Sequence, residues 1–354
     1  MLELDGGAGG GQLLRTALSL SAVTGDPFEM TGIRGDRPEP GLKPQHLAAV
    51  EAVADACGAT VEDADHGSER LRFEPGTVTP GEYDVDIDTA GSVLLVFDAV
   101  LPLAAALDAG ERLVLRATGG TDVRWAPTVD HYRRVKLPLV RRVGLDGRVA
   151  VSRRGFYPAG GGEATLRLRG TDGLDRFEAT APGTLERVAV SAVASTGLAD
   201  AEVAERGARA ARRALREVAD RPVETDATYV ESDCHGGVLT VRAAYANAAA
   251  GFDALGERGT PMEEVAAEAV DAFAAFRETR RSAAGTGRVP AVDVHTADQL
   301  ATPLALAGGS VTTTRATDHL RTNAAILSRF GGDLWLDECG SGATVRCERP
   351  LRDR

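Results

Sequence analysis

Three histidines stand where a side chain could do covalent chemistry: His46, His131 and His319. They lie in the strings Lys43-Pro44-Gln45-His46-Leu47, Thr128-Val129-Asp130-His131-Tyr132 and Ala316-Thr317-Asp318-His319-Leu320, each opening an amphipathic helical pattern. Neutral imidazole is nucleophilic near pH 7 and forms phosphoramidates, so one such ring can carry a nucleotidyl group. His319, followed by Thr322 and Asn323, is the candidate. The plain alternative is a helix-start histidine satisfied by its neighbours, the reading given to His131, which is therefore expected to tolerate replacement.

Other groups could receive a phosphate or a base. Arg34, Arg37, Lys43, Gln45 and His46 crowd one loop stiffened by Pro38, Pro40 and Pro44, and Arg15 lies one turn into the helix before it. Several cations on a rigid loop suit a phosphate monoester or a nucleic-acid end. Surface ion pairs with Asp36 and Glu39 are the alternative. Gly9-Gly10-Gly11-Gln12 precedes the first helix, where bare N–H groups can take a phosphate, although no Gly-Lys-Ser/Thr follows as in a Walker A loop. In His295-Thr296-Ala297-Asp298-Gln299 the ring could stack on a base and Asp298 could bond a nucleobase or ribose. Thr296 and Gln299 also have capping-box spacing, with Thr296 as N-cap. Arg154-Gly155-Phe156-Tyr157-Pro158-Ala159-Gly160-Gly161-Gly162 either exposes backbone N–H groups to a ligand or makes a tight β connection.

The elements that must hold these groups repeat. Each histidine string follows a β-type run: Phe28 to Arg34, Arg112 to Arg116, Ser310 to Thr314. Each copy has an earlier apolar helix, starting near Gly11, Gly91 and Thr296. The histidines are therefore expected at the same place in three copies of one unit. His46 and His131 are roughly 85 residues apart, a plausible single unit, whereas His131 and His319 are roughly 190 apart, so about 100 residues are inserted in the third copy. The third copy is expected to open with a strand at Val292-Asp293-Val294. Residues 182–287 offer strands and two helices of their own, enough for a small α+β domain. The expected division is a three-repeat domain of 1–181 and 288–354 with an inserted domain of 182–287. Continuous helices are expected over Gly91 to Leu107 and Thr128 to Val143.

The chain has 354 residues and a formal net charge of −12, and Lys43 and Lys136 are its lysines. Acidic, lysine-poor chains match proteins of a high-salt cytoplasm, where surface carboxylates hold water and salt screens their repulsion. An arginine-biased genome accounts equally well for arginine over lysine, but does not require the negative charge. That charge argues against broad coating of nucleic acid and leaves room for a local arginine pocket. The apolar run Val93 to Leu107 is too short to span a bilayer and carries Asp98 and Pro102. A cytoplasmic enzyme is expected, with its cysteines reduced. Cys339 and Cys347 flank a Gly-Ser-Gly turn and could face each other across a hairpin.

Taken together, these strings resemble the RNA 3'-terminal phosphate cyclase family over most of the chain. The match covers Leu4-Asp5 through Leu20, Arg34 to Leu47, Ala90 to Pro102, Gly119 to Asp122, Arg154 to Gly162, Ala297 to Gln299 and His319 to Phe330. The resemblance implies an α/β (α+β) fold of three units, each a four-stranded sheet with two helices, related to the enolpyruvyl transferase scaffold. It implies conversion of an RNA 3'-phosphate to a 2',3'-cyclic phosphate with ATP and a divalent metal, Mg²⁺ or Mn²⁺. The family's nucleophile falls on His319, its adenosine segment on His295, Thr296, Ala297, Asp298 and Gln299, and another nucleotide contact, usually Gln, on Asp98. The phosphate cluster falls on Arg15, Arg34, Arg37, Gln45 and His46. The family's usual loop Glu falls on Ala8, so no residue is assigned to the metal; Asp5 is the nearest substitute. A non-catalytic ribosome-assembly branch and an enolpyruvyl-transfer enzyme are the competing readings. Retention of His319 argues against the first.

Overall fold

The computed structural model describes residues 1–339 and 342–351. The first unit runs β1 (Leu2–Asp5), α1 (Gly11–Thr24), β2 (Phe28–Thr31), α2 (Pro44–Cys57), β3 (Thr60–Glu62) and β4 (Leu71–Glu74). Its helices stop where the sequence supplies a left-handed glycine, Gly25 after α1 and Gly58 after α2. Pro44 starts α2, at a position whose N–H needs no helical partner. The sheet order is β1-β2-β4-β3, with β1 parallel to β2 and the other pairs antiparallel.

The second unit has the same plan: β5 (Gly81–Asp86), α3 (Val93–Val100), β6 (Arg112–Gly119), α4 (Val129–His131), α5 (Leu137–Arg141), β7 (Asp146–Arg153) and β8 (Gly162–Arg169), in the order β5-β6-β8-β7. Neither long helix expected here is continuous. A 3₁₀ segment replaces the α-helix from Leu101, where Pro102 removes a donor, and a π-helical stretch, Tyr132–Lys136, separates α4 from α5, ahead of Pro138.

The third unit opens with β9 (Phe177–Ala179), not with Val292-Asp293-Val294. Strand β9 pairs in parallel with β14 (Gly309–Thr313), which follows it in sequence by more than the whole insert. The intervening chain forms its own sheet from β10 (Leu185–Ser195), β11 (Val223–Val230), β12 (Gly237–Tyr245) and β13 (Ala248–Leu255), in the different order β11-β10-β12-β13. Helices α6 (Val203–Val218) and α7 (Met262–Ser282) pack on it and on each other. The unit then resumes with α8 (Val294–Ala307), β14, α9 (Asp318–Arg329), β15 (Leu334–Cys339) and β16 (Gly342–Cys347), giving the sheet β15-β16-β14-β9. The register sets Cys347 opposite Leu334, so it does not face Cys339; the Gly340-Ser341 turn and the Cys339 side chain lie outside the described residues.

The units close into a ring through their helices. The first helix of each packs on the second helix of the unit before it: α3 on α2, α8 on the Tyr132–Lys136 stretch, and α1 on α9. An amphipathic helix must bury its apolar stripe, and here a neighbouring unit supplies the cover. One buried core extends from Leu4 to Leu351 through all four sheets. No helix among the described residues is long and apolar enough to cross a membrane.

Candidate active site

This ring creates three junctions at which helix N-termini of neighbouring units meet, and two are closed by hydrogen bonds to side chains. Between the first two units, the Ser92 N–H donates to Gln45 Oε1 at 3.2 Å. Between the second and third, His131 Nε2 and Thr296 Oγ1 are 3.1 Å apart. Thr296 in turn donates to Asp293, and Asp293 accepts from the Gly251 N–H of the insert. The other nitrogen of His131 faces Asp253 Oδ2 at 3.1 Å. Burial by itself opposes a charge on this ring, but Asp253 and then Asp293 raise its pKa above the usual histidine value. His131 is thus a buried tie between three parts of the chain, and this geometry argues against the expectation that it is replaceable.

The junction between the third and first units is held more loosely, by a 3.4 Å bond from Gln12 Nε2 to Thr322 Oγ1. Here the third histidine departs from its sisters. Thr128 caps α4 by accepting the N–H of His131, and Thr317 caps α9 by accepting the N–H of Leu320. Leu320 is therefore the counterpart of His131, and His319 sits one residue nearer the cap. One residue turns a helical side chain by about 100°. Leu320 takes the buried position, and the His319 ring is exposed at the helix start. The histidines are not at the same place in the three copies, and the shift was readable from Thr128-x-x-His against Thr317-x-His.

Around His319 the junction gathers groups from two units. Thr317 donates to Asp298 Oδ1 at 2.5 Å, fixing α8 beside α9. Burial raises the Asp298 pKa, while the Thr317 bond and then His319 and His295 oppose the rise. His295 is exposed one turn before Gln299. Asp293, rather than Thr296, is the N-cap of α8, accepting from the Thr296 N–H, so the capping-box reading is set aside. Gln299 Oε1 and Asn323 Oδ1 are buried with no hydrogen-bond partner among the described residues. Asn323 lies one helical turn after His319 and was readable at that spacing.

Across the junction, α1 begins at Gly11 after the N-cap Gly10, and Gly11 leaves no room for a side chain. A Cβ on Gly11 would lie 2.2 Å from His46 Nε2 and 3.1 Å from an Arg15 terminal nitrogen. A Cβ on Gly10 would meet an Arg37 terminal nitrogen at 3.4 Å. Arg15 and Arg37 make no hydrogen bond or ion pair with the described residues, although Asp98 acts on Arg15 electrostatically, so two guanidinium groups converge on the N-terminus of a four-turn helix with their N–H donors free. Arg34 is committed differently, donating to the Glu39 and Gly41 carbonyls, and only Lys43 makes the expected ion pair with Glu39. Asp98 is paired with Lys136, with Arg15 nearby, in a buried cluster. The carboxylate therefore has a protein partner, 38 residues away in sequence, that no local pattern pairs with it.

His46 is neutral by construction. Its Nδ1 accepts the Lys43 N–H at 3.0 Å, and burial, then Arg15, Arg34 and Lys43, lower its pKa from 6.5 to about 3. Above pH 6.5 folded and unfolded chains both hold neutral imidazole here. As pH falls from 6.5 towards 3, the unfolded chain binds a proton that the fold refuses, and stability drops by about 1.4 kcal/mol per pH unit from this group. Denaturant titrations at pH 7, 6 and 5 should show that slope flattened in His46→Gln; an unchanged slope would mean the ring is protonated in the fold.

The Arg154–Gly162 string makes a tight β connection. Arg154 is locked between Asp122 and Asp130 at 2.7–3.0 Å. Gly155 packs so closely that a Cβ would lie 2.3 Å from the Gly162 nitrogen. Among the described residues no three His, Cys, Asp or Glu side chains converge as a metal site.

Residues 6–333 match the family model described as RNA 3'-terminal phosphate cyclase. A protein of that name from Halobacterium salinarum is 43% identical over 98% of this chain and 99% of its own length. Those from Pyrococcus furiosus and Methylococcus capsulatus are 37% and 39% identical, each over 97% of this chain and 96% and 95% of their own. A solved enolpyruvyl transferase, NikO from Streptomyces tendae, aligns over 97% of the chain with 11% identity and a TM-score of 0.37; this chain spans 47% of that one, and a likeness at this level carries no argument. A family model over nearly the whole chain, with relatives this similar end to end, means that the chain belongs to the RNA 3'-terminal phosphate cyclase family.

Proposed function

We propose that this protein uses ATP to convert an RNA 3'-phosphate to a 2',3'-cyclic phosphodiester. His319 attacks the α-phosphorus of ATP and pyrophosphate leaves. The RNA 3'-phosphate then takes AMP from the histidine, and the neighbouring ribose 2'-OH attacks the activated phosphorus as AMP departs. That hydroxyl is held beside the phosphorus, an advantage on the order of 10⁵ M or more in effective concentration. It also selects RNA over DNA. His295, Thr296, Ala297, Asp298 and Gln299 hold the adenosine, and the free guanidinium groups of Arg15 and Arg37 receive phosphate, with Arg34, Gln45 and His46 shaping their loop. The observation that carries this reading is the one-residue shift that leaves His319 exposed while His46 and His131 are buried. We propose residues 182–287 as a separate inserted domain.

The test is incubation with ATP labelled at the α-phosphorus, followed by denaturation. Label should stay on the protein in an acid-labile, base-stable bond, and a 3'-phosphorylated RNA should become resistant to phosphatase. If neither happens the reading fails, and a non-catalytic RNA-binding role takes its place.

Among the described residues no three His, Cys, Asp or Glu side chains form a cage for a divalent ion. Ala8 is exposed, and Asp5 Oδ1 is already accepting the Gly7 N–H at 2.8 Å. Hard cations bound beside phosphates need only one or two protein carboxylates. Ala8→Glu is therefore expected to lower the Mg²⁺ or Mn²⁺ concentration for half-maximal adenylation several-fold, read from a metal titration at fixed salt. No movement would mean that the metal is not held at this loop.

A further inference from the structure

The loop between β6 and α4 carries a feature the proposed chemistry does not use. Trp125 is 90% exposed and has φ of +60°, a left-handed conformation that a bulky residue adopts only where its surroundings enforce it. The preceding residue, Arg124, holds its guanidinium 4.9 Å from the ring centre of Tyr157, which is itself exposed. Tyr157 is anchored by its N–H to the Asp122 carbonyl at 3.3 Å. Arg124 is anchored by Glu257 of the insert.

This loop is fixed to the active site at both ends. Before it, Gly120 bonds Gly91, and the neighbouring Ser92 bonds Gln45 of the phosphate loop. After it, Thr128 starts the helix whose His131 bonds Thr296, beside His295. It is also the repeat counterpart of the loop bearing Arg34 and Arg37 in the first unit and of the loop leading to His319 in the third. The three strand-to-helix loops thus bring cations, a nucleophile and the exposed Trp125 ring to one end of the ring of units, with Tyr157 reaching the same loop from the β7–β8 connection.

We propose that Trp125, with Tyr157 and Arg124, forms a stacking platform for an unpaired base of the RNA strand upstream of its 3'-phosphate. The proposal rests on the cyclase reading. A terminal phosphate seated at Arg15 and Arg37 obliges the preceding nucleotides to leave across a neighbouring loop. Aromatic faces and guanidinium planes are what single-stranded bases stack on, with little dependence on sequence.

The test compares two 3'-phosphorylated RNA pentanucleotides, one complete and one with a single abasic nucleotide, scanned through the upstream positions. For the unmodified protein, one abasic position should raise KM about tenfold, the scale of one base–aromatic stack. Trp125→Ala should raise KM for the complete RNA about as much and erase the abasic penalty, while Trp125→Phe restores most of both. An unchanged thermal midpoint in Trp125→Ala excludes misfolding as the cause. The chain has two tryptophans, so in Trp335→Phe the complete RNA should quench the remaining Trp125 fluorescence. Cyclisation with equal KM for complete and abasic RNA overturns the platform and leaves the cyclase reading standing. No label from ATP and no cyclisation by the unmodified protein overturns both.

Discussion

His319→Ala is expected to abolish the covalent adenylate of the proposed mechanism and to lower cyclisation by on the order of 10³-fold or more, because alanine offers no nucleophilic nitrogen at this position. The fold should be indifferent to the change. His319 is exposed, its ring makes no hydrogen bond with the described residues, and helix α9 is capped by Thr317. Surface replacements of this kind stay within about 0.5 kcal/mol. The decisive comparison is label retained from α-labelled ATP against the denaturation midpoint of the same sample. Full labelling in a folded His319→Ala protein removes this residue from the mechanism.

His131→Ala has the opposite signature: a large loss of stability. The ring is buried and Asp253 largely so, and deleting the ring leaves the carboxylate without its charged partner, held by the Thr240 and Thr128 hydroxyls. Breaking one side of a buried pair costs about 3–5 kcal/mol. The double variant His131→Ala/Asp253→Ala should recover part of that, and the cycle of four proteins gives the coupling directly. The pH dependence has a definite direction. The folded pKa of His131 is raised, so its contribution is complete below the unfolded value near 6.5 and fades as pH rises through the higher folded value. Asp253, with its pKa lowered by His131 against the effect of burial, contributes above its own unfolded value and fades in acid. Urea denaturation at pH 6 is the measurement. A loss below about 1 kcal/mol there would show that the pair is not ionised.

The sequence by itself determined what is local. The helix starts at Pro44, Thr128 and Thr317, the glycine stops at Gly25 and Gly58, and the strand–helix rhythm of the three units are set by capping, φ preference and apolar spacing within a few residues. The position of His319 relative to its cap is equally local. Family membership was legible for the same reason, since its strings are short and contiguous. Several short or edge strands were not: β3, β7 and β13 carry little pattern of their own, and β9 is three residues whose partner lies beyond the insert. Tertiary structure alone decided that Asp98 pairs with Lys136, that His131 spans to Asp253 and Thr296, and that Arg15 and Arg37 converge on Gly10 and Gly11. Each of these depends on which unit covers which helix. The ring closure that settles it comes from burying apolar stripes against neighbours, and a side chain's own sequence does not say who that neighbour is.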